Sequence, residues 1–122
     1  MTASTIAIST LGPSLEERVD ERFGRAMYFA VVDSATDAVE FIDNSESRNA
    51  LQGSGISSAE LMSGKGVAAV ITGHLGPKAF SALGAAGIKG YEGTGMSAAE
   101  ALAAFRAGEL KELTEAGEAH AG

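Results

Sequence analysis

The stretch that decides the fold is VAAVITGHLGPKAFSALGAAG, residues 67–87. Its first five residues are all apolar, which is typical of a strand buried on both faces of a parallel sheet. Pro77 stands at the first position of a helix, where proline is best accepted, and Phe80 lies on the buried stripe of that helix. Gly87 marks the helix end, because glycine readily takes the conformation needed there. The stretch therefore predicts a buried strand, a glycine-rich loop and a helix.

The same alternation continues toward the C-terminus. Residues 88–92 predict a fifth strand, which Gly90 weakens. Ser97 and Glu100 have the spacing of a capping box at a helix start, and Gly108 marks the end of that helix. Strands that alternate with helices lie parallel and are joined by right-handed crossovers. The later half of the chain is therefore predicted to be a parallel α/β unit.

Three short apolar runs precede this unit, at residues 5–9, 27–33 and 38–43. They predict three strands. The turn between the second and the third strand is only a few residues long, which predicts an antiparallel hairpin.

One more helix is expected between the hairpin and the central stretch. Ser57 and Glu60 have the spacing of a capping box, and Gly64 stands where the helix would end. The resulting element order is β-β-β-α-β-α-β-α. It predicts an α/β protein, a three-layer sandwich whose mixed five-stranded sheet has one antiparallel strand and helices on both faces.

The composition excludes several kinds of site. The chain has 122 residues, enough for one domain with its own core. It has no cysteine, which excludes disulfides, thiolate metal sites and thiol nucleophiles. Nine basic and sixteen acidic residues give a net charge of −7, which argues against a nucleic acid partner. The sixteen glycines indicate tight turns or close backbone approach.

The chain divides into two parts on composition. We expect a single α/β domain over residues 1–110 and an acidic, flexible tail over residues 111–122. The N-terminus has no positive charge ahead of an apolar core, unlike a secretory signal. No stretch approaches the roughly 18 apolar residues that a membrane span needs. We therefore expect a cytoplasmic protein without a membrane partner.

Three glycine-rich loops lead into the three predicted helices. Parallel sheets bind ligands at the carboxyl ends of their strands, where helix N-termini gather with unpaired N–H groups and positive dipole ends. If the three helices start at one edge, the loops form a pocket that prefers an anion. The alternative is that the glycines serve turn geometry alone. The candidate binding residues in these loops are Gly53, Ser54, Gly55, Gly73, His74, Gly76, Gly93, Thr94 and Gly95.

Three further side chains are candidates for charge or metal contacts. Arg22 and Arg25 could supply positive charge to an anion pocket, the alternative being a surface ion pair with Glu21 or Asp20. His74 is the candidate metal ligand, because histidine is a good nitrogen ligand and it follows a buried strand. Its alternative is an ordinary loop histidine. No ligand stands near it in sequence, so a four-ligand zinc site is not indicated.

Other chemistries find little support in the sequence. Residues 53–58, GSGISS, lack the third glycine of a dinucleotide fingerprint, and no strand directly precedes them. Residues 64–66, GKG, lie at a helix end, the wrong side for a phosphate. The serines have no evident histidine and acid partners. The sequence therefore does not support a hydrolase or a dedicated nucleotide motif.

Three motifs resemble a known family. RFGRAMYF at residues 22–29, ITGHLGPKAF at 71–80 and AAGIK at 85–89 are similar to the dinitrogenase iron–molybdenum cofactor-binding family. That family includes NifX-like proteins and the small orange-protein type of sulfate reducers. The resemblance covers residues 4–110. It implies a ribonuclease-H-like α/β fold and binding of a molybdenum-containing metal–sulfur cluster without catalysis.

The missing thiols define how such a cluster would be held. The resemblance implies a cluster that brings its own sulfide and is bound by shape, N–H donors and charge. A molybdenum–copper sulfide fits this demand better than a cluster that needs thiolate ligands. We therefore expect a protein that binds, carries or stores an anionic molybdenum–sulfur cluster, either a molybdenum–copper sulfide or one like the iron–molybdenum cofactor. A cluster donor or acceptor protein is its expected partner. The alternative is a regulatory or interaction module that binds a small organic anion or a nucleotide.

Overall fold

The computed structural model describes residues 4–49 and 53–116. Their elements, in chain order, are β1 (Thr5–Thr10), β2 (Tyr28–Asp33), β3 (Val39–Asp43), α1 (Ser45–Arg48), α2 (Ser54–Gly64), β4 (Val67–Thr72), α3 (Pro77–Ala85), β5 (Lys89–Glu92), α4 (Ala98–Arg106) and β6 (Glu112–Leu113).

The strands form one mixed sheet in the order β3-β2-β1-β4-β5-β6. β1, β4 and β5 are parallel neighbours, which confirms the crossovers predicted from the later half. β2 pairs antiparallel with both β1 and β3, so the predicted hairpin is also confirmed. The α/β class and the mixed sheet are therefore as predicted. The ribonuclease-H-like description stays a prediction.

The strand count is a correction, because the sheet has six strands instead of five. The sixth is β6, which pairs antiparallel with β5 through Gly90 and Tyr91. Two strands, β2 and β6, therefore run against the others, where one was expected. β6 comes from the segment interpreted as an acidic tail. A strand of two residues has no alternation to detect, so only its pairing with β5 reveals it. Residues 117–122 of that segment lie outside the described residues.

Both faces of the sheet are covered, which confirms the three layers. On β1, Ala7 points to a cluster that contains Met62 of α2 and Leu83 of α3. Ile8, its neighbour, points to the other face and packs in a cluster with Leu102 of α4. Successive side chains of a strand point to opposite faces, so one apolar strand serves two cores.

Local signals decided most helix ends. Pro77 begins α3, and α4 has the complete capping box, with the Glu100 N–H donating to Ser97 Oγ at 3.1 Å. Gly87 and Gly108 follow their helices with φ of +76° and +72°, as a helix-ending glycine should.

The start of α2 is a second correction. The helix begins at Ser54, one turn before the predicted cap, with Gly53 at the N-cap position. Gly53 has φ of +74°, a left-handed conformation that favours glycine. Ser57 therefore lies inside the helix, where its hydroxyl is 2.6 Å from the hydroxyl of Ser47. A serine–glutamate spacing resembled a cap, but the backbone turn at Gly53 starts the helix earlier.

None of the helices in the described part of the chain is long and apolar enough to cross a membrane.

Candidate functional site

The loops singled out from the sequence leave the sheet at one edge, named here the site edge. It comprises the carboxyl ends of β1, β4 and β5 with the segments that follow them, residues 11–27, 73–76 and 93–97. Tyr28 at the start of β2 pairs with Thr10 and with Asp43. The end of β3 therefore reaches the same edge and brings α1 and the start of α2 with it.

The start of α2 packs tightly against the loop after β1. A side chain on Gly24 would place its Cβ 2.6 Å from the backbone nitrogen of Gly55 and 2.7 Å from its Cα. A Cβ on Gly55 would lie 2.9 Å from the Cβ of Ala79, in the first turn of α3. These two glycines allow three backbone segments to approach one another. The starts of α2 and α3 therefore lie side by side at the site edge.

The loop between β4 and α3 joins the same assembly. A Cβ on Gly73 would lie 2.6 Å from the Cα of Glu21, so this loop packs directly on the segment after β1. Arg22 forms a parallel backbone bridge with His74, which is half-buried. Gly76 is the N-cap of α3 with extended backbone. The structure thus brings together Arg22 and His74, which the sequence separates by some fifty positions.

The two adjacent helix starts provide hydrogen-bond donors. The N–H groups in the first turn of a helix have no partner within that helix. In α2 the first internal bond is donated by Ser57, and in α3 by Phe80. Of the N–H groups that precede those bonds, those of Ile56 in α2 and Lys78 in α3 belong to exposed residues. Both helix dipoles favour negative charge at the same place.

The start of α4 differs, because its donors are used inside the protein. The N–H of Ala98 donates to Glu17 O and that of Ala99 to Leu15 O, both at 2.8 Å. Gly93 is buried and its N–H donates to Thr72 O at 2.8 Å. Thr94 and Gly95 are exposed, and Gly95 has φ of +84°. The role of these three residues in binding stays a prediction, and the donors concentrate at α2 and α3.

Arg22 combines an ion pair with exposure to solvent. Its Nε and Nη2 donate to the two carboxylate oxygens of Asp20, each at 3.0 Å. This side-chain hydrogen bond raises the pKa of Arg22 and outweighs the lowering by burial. The Arg22 side chain is 47% exposed, whereas Asp20 is 2% exposed. The ion pair weighed as the alternative is therefore present, but a guanidinium carries five N–H donors and two are engaged here.

Two more arginines meet beside α2. Arg25 Nη1 donates to the backbone oxygen of Arg48 at 2.8 Å, and Arg48 Nη1 donates to Met27 O at 3.2 Å. Arg48 was missed from the sequence, because α1 has only four residues and gives no helical pattern. The nearby acid Asp43 has its pKa lowered, first by the Ser45 N–H that donates to its carboxylate at 2.7 Å.

Buried polar groups hold this assembly in place. Asn44, which is 2% exposed, donates from Nδ2 to Ala26 O at 3.0 Å and to Gly24 O at 3.2 Å. The hydroxyl of Ser58 lies 3.3 Å from Asn44 Oδ1 and 3.3 Å from Gly24 O. The side-chain amide of Asn44 therefore links the loop after β1 to the end of β3 and to α2. Nothing in the sequence marks Asn44, because its partners lie about twenty positions away.

The donor set fits an anion that carries its own metal ligands. Among the described residues, no three His, Cys, Asp or Glu side chains are grouped so that they could hold a metal ion. N–H groups and guanidinium groups are hydrogen-bond donors, which pair with sulfide or oxide and not with a bare cation. His74 is the one sequence-predicted metal ligand at this edge.

The fold and the site edge define a class of protein: a three-layer α/β sandwich that presents two helix N-termini and arginine side chains at one sheet edge. The family model described as dinitrogenase iron–molybdenum cofactor matches residues 4–108. The chain belongs to this family, as the sequence motifs predicted.

Solved structures and a sequence relative agree with this assignment. The apo form of the orange protein from Desulfovibrio gigas is 39% identical with a TM-score of 0.91, and the match covers 96% of this chain and 98% of that one. A Thermotoga protein of the DUF35 family, a proposed NifB protein, is 35% identical with a TM-score of 0.84 over 94% and 97%. An uncharacterized protein of Methanocaldococcus jannaschii is 33% identical over 104 residues, 83% of this chain and 87% of the relative.

Proposed function

We propose that this protein binds an anionic molybdenum-containing metal–sulfur cluster noncovalently and carries or stores it without catalysis. The observation that carries the proposal is the side-by-side placement of the α2 and α3 starts, with Arg22 in the loop that packs on both of their segments. Membership in the dinitrogenase iron–molybdenum cofactor family supports a cluster as the ligand. The similarity to the orange protein supports a small carrier.

The chemistry of the edge favours a preassembled cluster. The chain has no cysteine, so no thiolate can replace a sulfide of the cluster. Backbone N–H groups and guanidinium groups can instead donate to sulfides and balance their charge. A molybdenum–copper sulfide is a cluster of this kind, because its metals are already bridged by sulfide. We therefore propose that the bound cluster contains copper as well as molybdenum.

Cluster uptake is the first prediction. Mixing the protein with tetrathiomolybdate and a copper salt should give a coloured complex that survives gel filtration with a fixed ratio of molybdenum to protein. The controls are each reagent alone and an unrelated acidic protein of similar net charge. Retention no greater than that of the acidic protein would overturn the proposal. A thermal shift with ATP but not with thiomolybdate would favour the alternative, a module that binds nucleotides.

The role of His74 is the second prediction. His74→Ala should reduce the copper retained, or shift the visible spectrum of the complex, because a ring nitrogen would be lost beside the metals. His74→Asn is the matched variant, since it keeps a polar side chain but lacks the imidazole. An unchanged spectrum and metal content in both variants would make His74 an ordinary loop residue. The far-ultraviolet circular dichroism of each variant checks the fold.

A further inference from the structure

Asp20 is a buried carboxylate at the site edge, where a site for an anion would not by itself require a negative charge. Its side chain is 2% exposed. Oδ1 accepts the backbone N–H and the Nε–H of Arg22, both at 3.0 Å. Oδ2 accepts the Nη2–H of Arg22 at 3.0 Å and the backbone N–H of Met27 at 3.1 Å. Four donors from two positions therefore meet on one carboxylate.

The backbone of Asp20 is fixed to the sheet. Its N–H donates to Ser9 O at 2.8 Å, and its carbonyl oxygen accepts the Ser9 hydroxyl at 2.7 Å. The Ser9 hydroxyl also lies 2.8 Å from Thr72 Oγ1. Ser9 and Thr72 are fully buried near the carboxyl ends of β1 and β4. The carboxylate is therefore held at a set place relative to the two central strands.

This arrangement fixes the guanidinium of Arg22. A two-point contact between a guanidinium and a carboxylate sets the orientation of the planar group as well as its position. The Arg22 backbone is bridged to His74 at the same time. Since the side chain remains 47% exposed, the N–H groups not used by Asp20 are accessible at the site edge. An unpaired arginine side chain would sample many rotamers and would lose that freedom on binding.

We propose that Asp20 is the positioning residue of the anion site, which holds the Arg22 guanidinium beside residues 73–76 so that its remaining N–H groups face the ligand. This role rests on the proposed function. It carries a cost, because Asp20 places a negative charge near a site for an anion. If Asp20 acted only through its charge, it would weaken binding of the anionic cluster. If it positions Arg22, it strengthens that binding.

The two roles predict opposite results for Asp20→Asn. The substitution keeps the size of the side chain and removes one negative charge. If charge alone mattered, the cluster would bind more tightly in the variant. If Asp20 positions Arg22, the cluster should dissociate about tenfold faster, because the guanidinium becomes free to move. The visible circular dichroism of the bound cluster should also weaken, since its surroundings are less ordered.

Asp37→Asn is the matched control. Asp37 is also an acid paired with an arginine, its Oδ1 lying 2.7 Å from Arg106 Nη2. It lies in the β2–β3 hairpin at the opposite edge of the sheet, with φ of +62°, which asparagine tolerates. The change in net charge is the same as in Asp20→Asn. We expect a cluster dissociation rate within about twofold of the unsubstituted protein.

Arg22→Lys separates positioning from folding. Lysine keeps the charge but lacks the fork that meets both oxygens of Asp20. It leaves the Met27 N–H bond to Asp20 in place. If Asp20→Asn does not fold, this variant tests the contact of Arg22 with the ligand, and the Nε–H signal of the unsubstituted protein tests the role of Asp20. We expect release about as fast as from Asp20→Asn. The Nε–H signal of Arg22 in nitrogen-15 NMR gives a readout without ligand: it should be protected from exchange in the unsubstituted protein and lost in Asp20→Asn.

The outcomes are distinguishable. Binding by Asp20→Asn that equals or exceeds that of Asp37→Asn overturns the positioning role while leaving the proposed function intact. An Arg22 Nε–H that exchanges freely in the unsubstituted protein overturns it as well. If the unsubstituted protein and Asp37→Asn both fail to retain the cluster, the proposed function falls, and the role of Asp20 falls with it.

Discussion

Replacing Gly24 with alanine is expected to lower the free energy of unfolding by about 3 kcal/mol, the upper end of the cost of overpacking. The added Cβ would lie 2.6 Å from the backbone nitrogen of Gly55, 2.7 Å from its Cα and 2.8 Å from the carbonyl carbon of Ser54. Backbone atoms have no other rotamer to adopt, so the clash is relieved only by moving the start of α2 away from the loop. We therefore expect weaker cluster retention together with lower stability.

Gly84→Ala is the control for this substitution. Gly84 is an exposed glycine within α3, and a Cβ there would meet nothing within 4 Å. Alanine favours a helix interior by about 0.5–1 kcal/mol over glycine, so this variant should be more stable. Chemical denaturation of both variants measures the difference. Equal stability of Gly24→Ala and the unsubstituted protein would show that the two segments do not pack as described.

Asn44→Ala is expected to cost about 2–4 kcal/mol of the free energy of unfolding, because it leaves buried carbonyl groups without their donor. Asn44 Nδ2 donates to Gly24 O and to Ala26 O, and its Oδ1 lies 3.3 Å from the Ser58 hydroxyl. Removing a buried donor costs the desolvation of each partner that remains. The loop that carries Arg22 and Arg25 should lose its link to β3 and α2.

Asn49→Ala provides the comparison. Asn49 follows α1 five positions after Asn44, but its side chain is exposed. We expect a change within about 0.5 kcal/mol, as for an ordinary surface substitution. Urea unfolding measures both variants, and hydrogen exchange at residues 20–27 reports whether the loop opens locally. A small cost for Asn44→Ala with unchanged exchange would contradict the role given to this amide.

Much of the fold could be predicted because its signals act over a few residues. Pro77 at the start of α3 and Gly87 after its end depend on the backbone within one helical turn. The strand predicted at residues 67–71 was evident because all five residues are apolar, and all of them except Ala68 are buried. β6 was missed for the opposite reason, since Glu112 and Leu113 are ordered as a strand by pairing with β5 and not by their own pattern.

That the three loops share one edge of the sheet could be predicted, but not how that edge is held together. The rule that ligands bind at the carboxyl ends of parallel strands placed the three loops at one edge. The sequence does not show that the donors at α4 are occupied by Glu17 O and Leu15 O. It does not show that Arg48 meets Arg25, because those contacts join residues 23 positions apart.

The sequence by itself determined the α/β class, the crossovers and the absence of thiols, and its motifs indicated the family. These properties depend on residue type and on spacing within one element. Only the tertiary structure decided that Gly24 and Gly55 bring the starts of α2 and α3 together, and that Asp20 orients Arg22. Distance and orientation between side chains on different segments arise when the elements pack, and no local pattern in the chain encodes them.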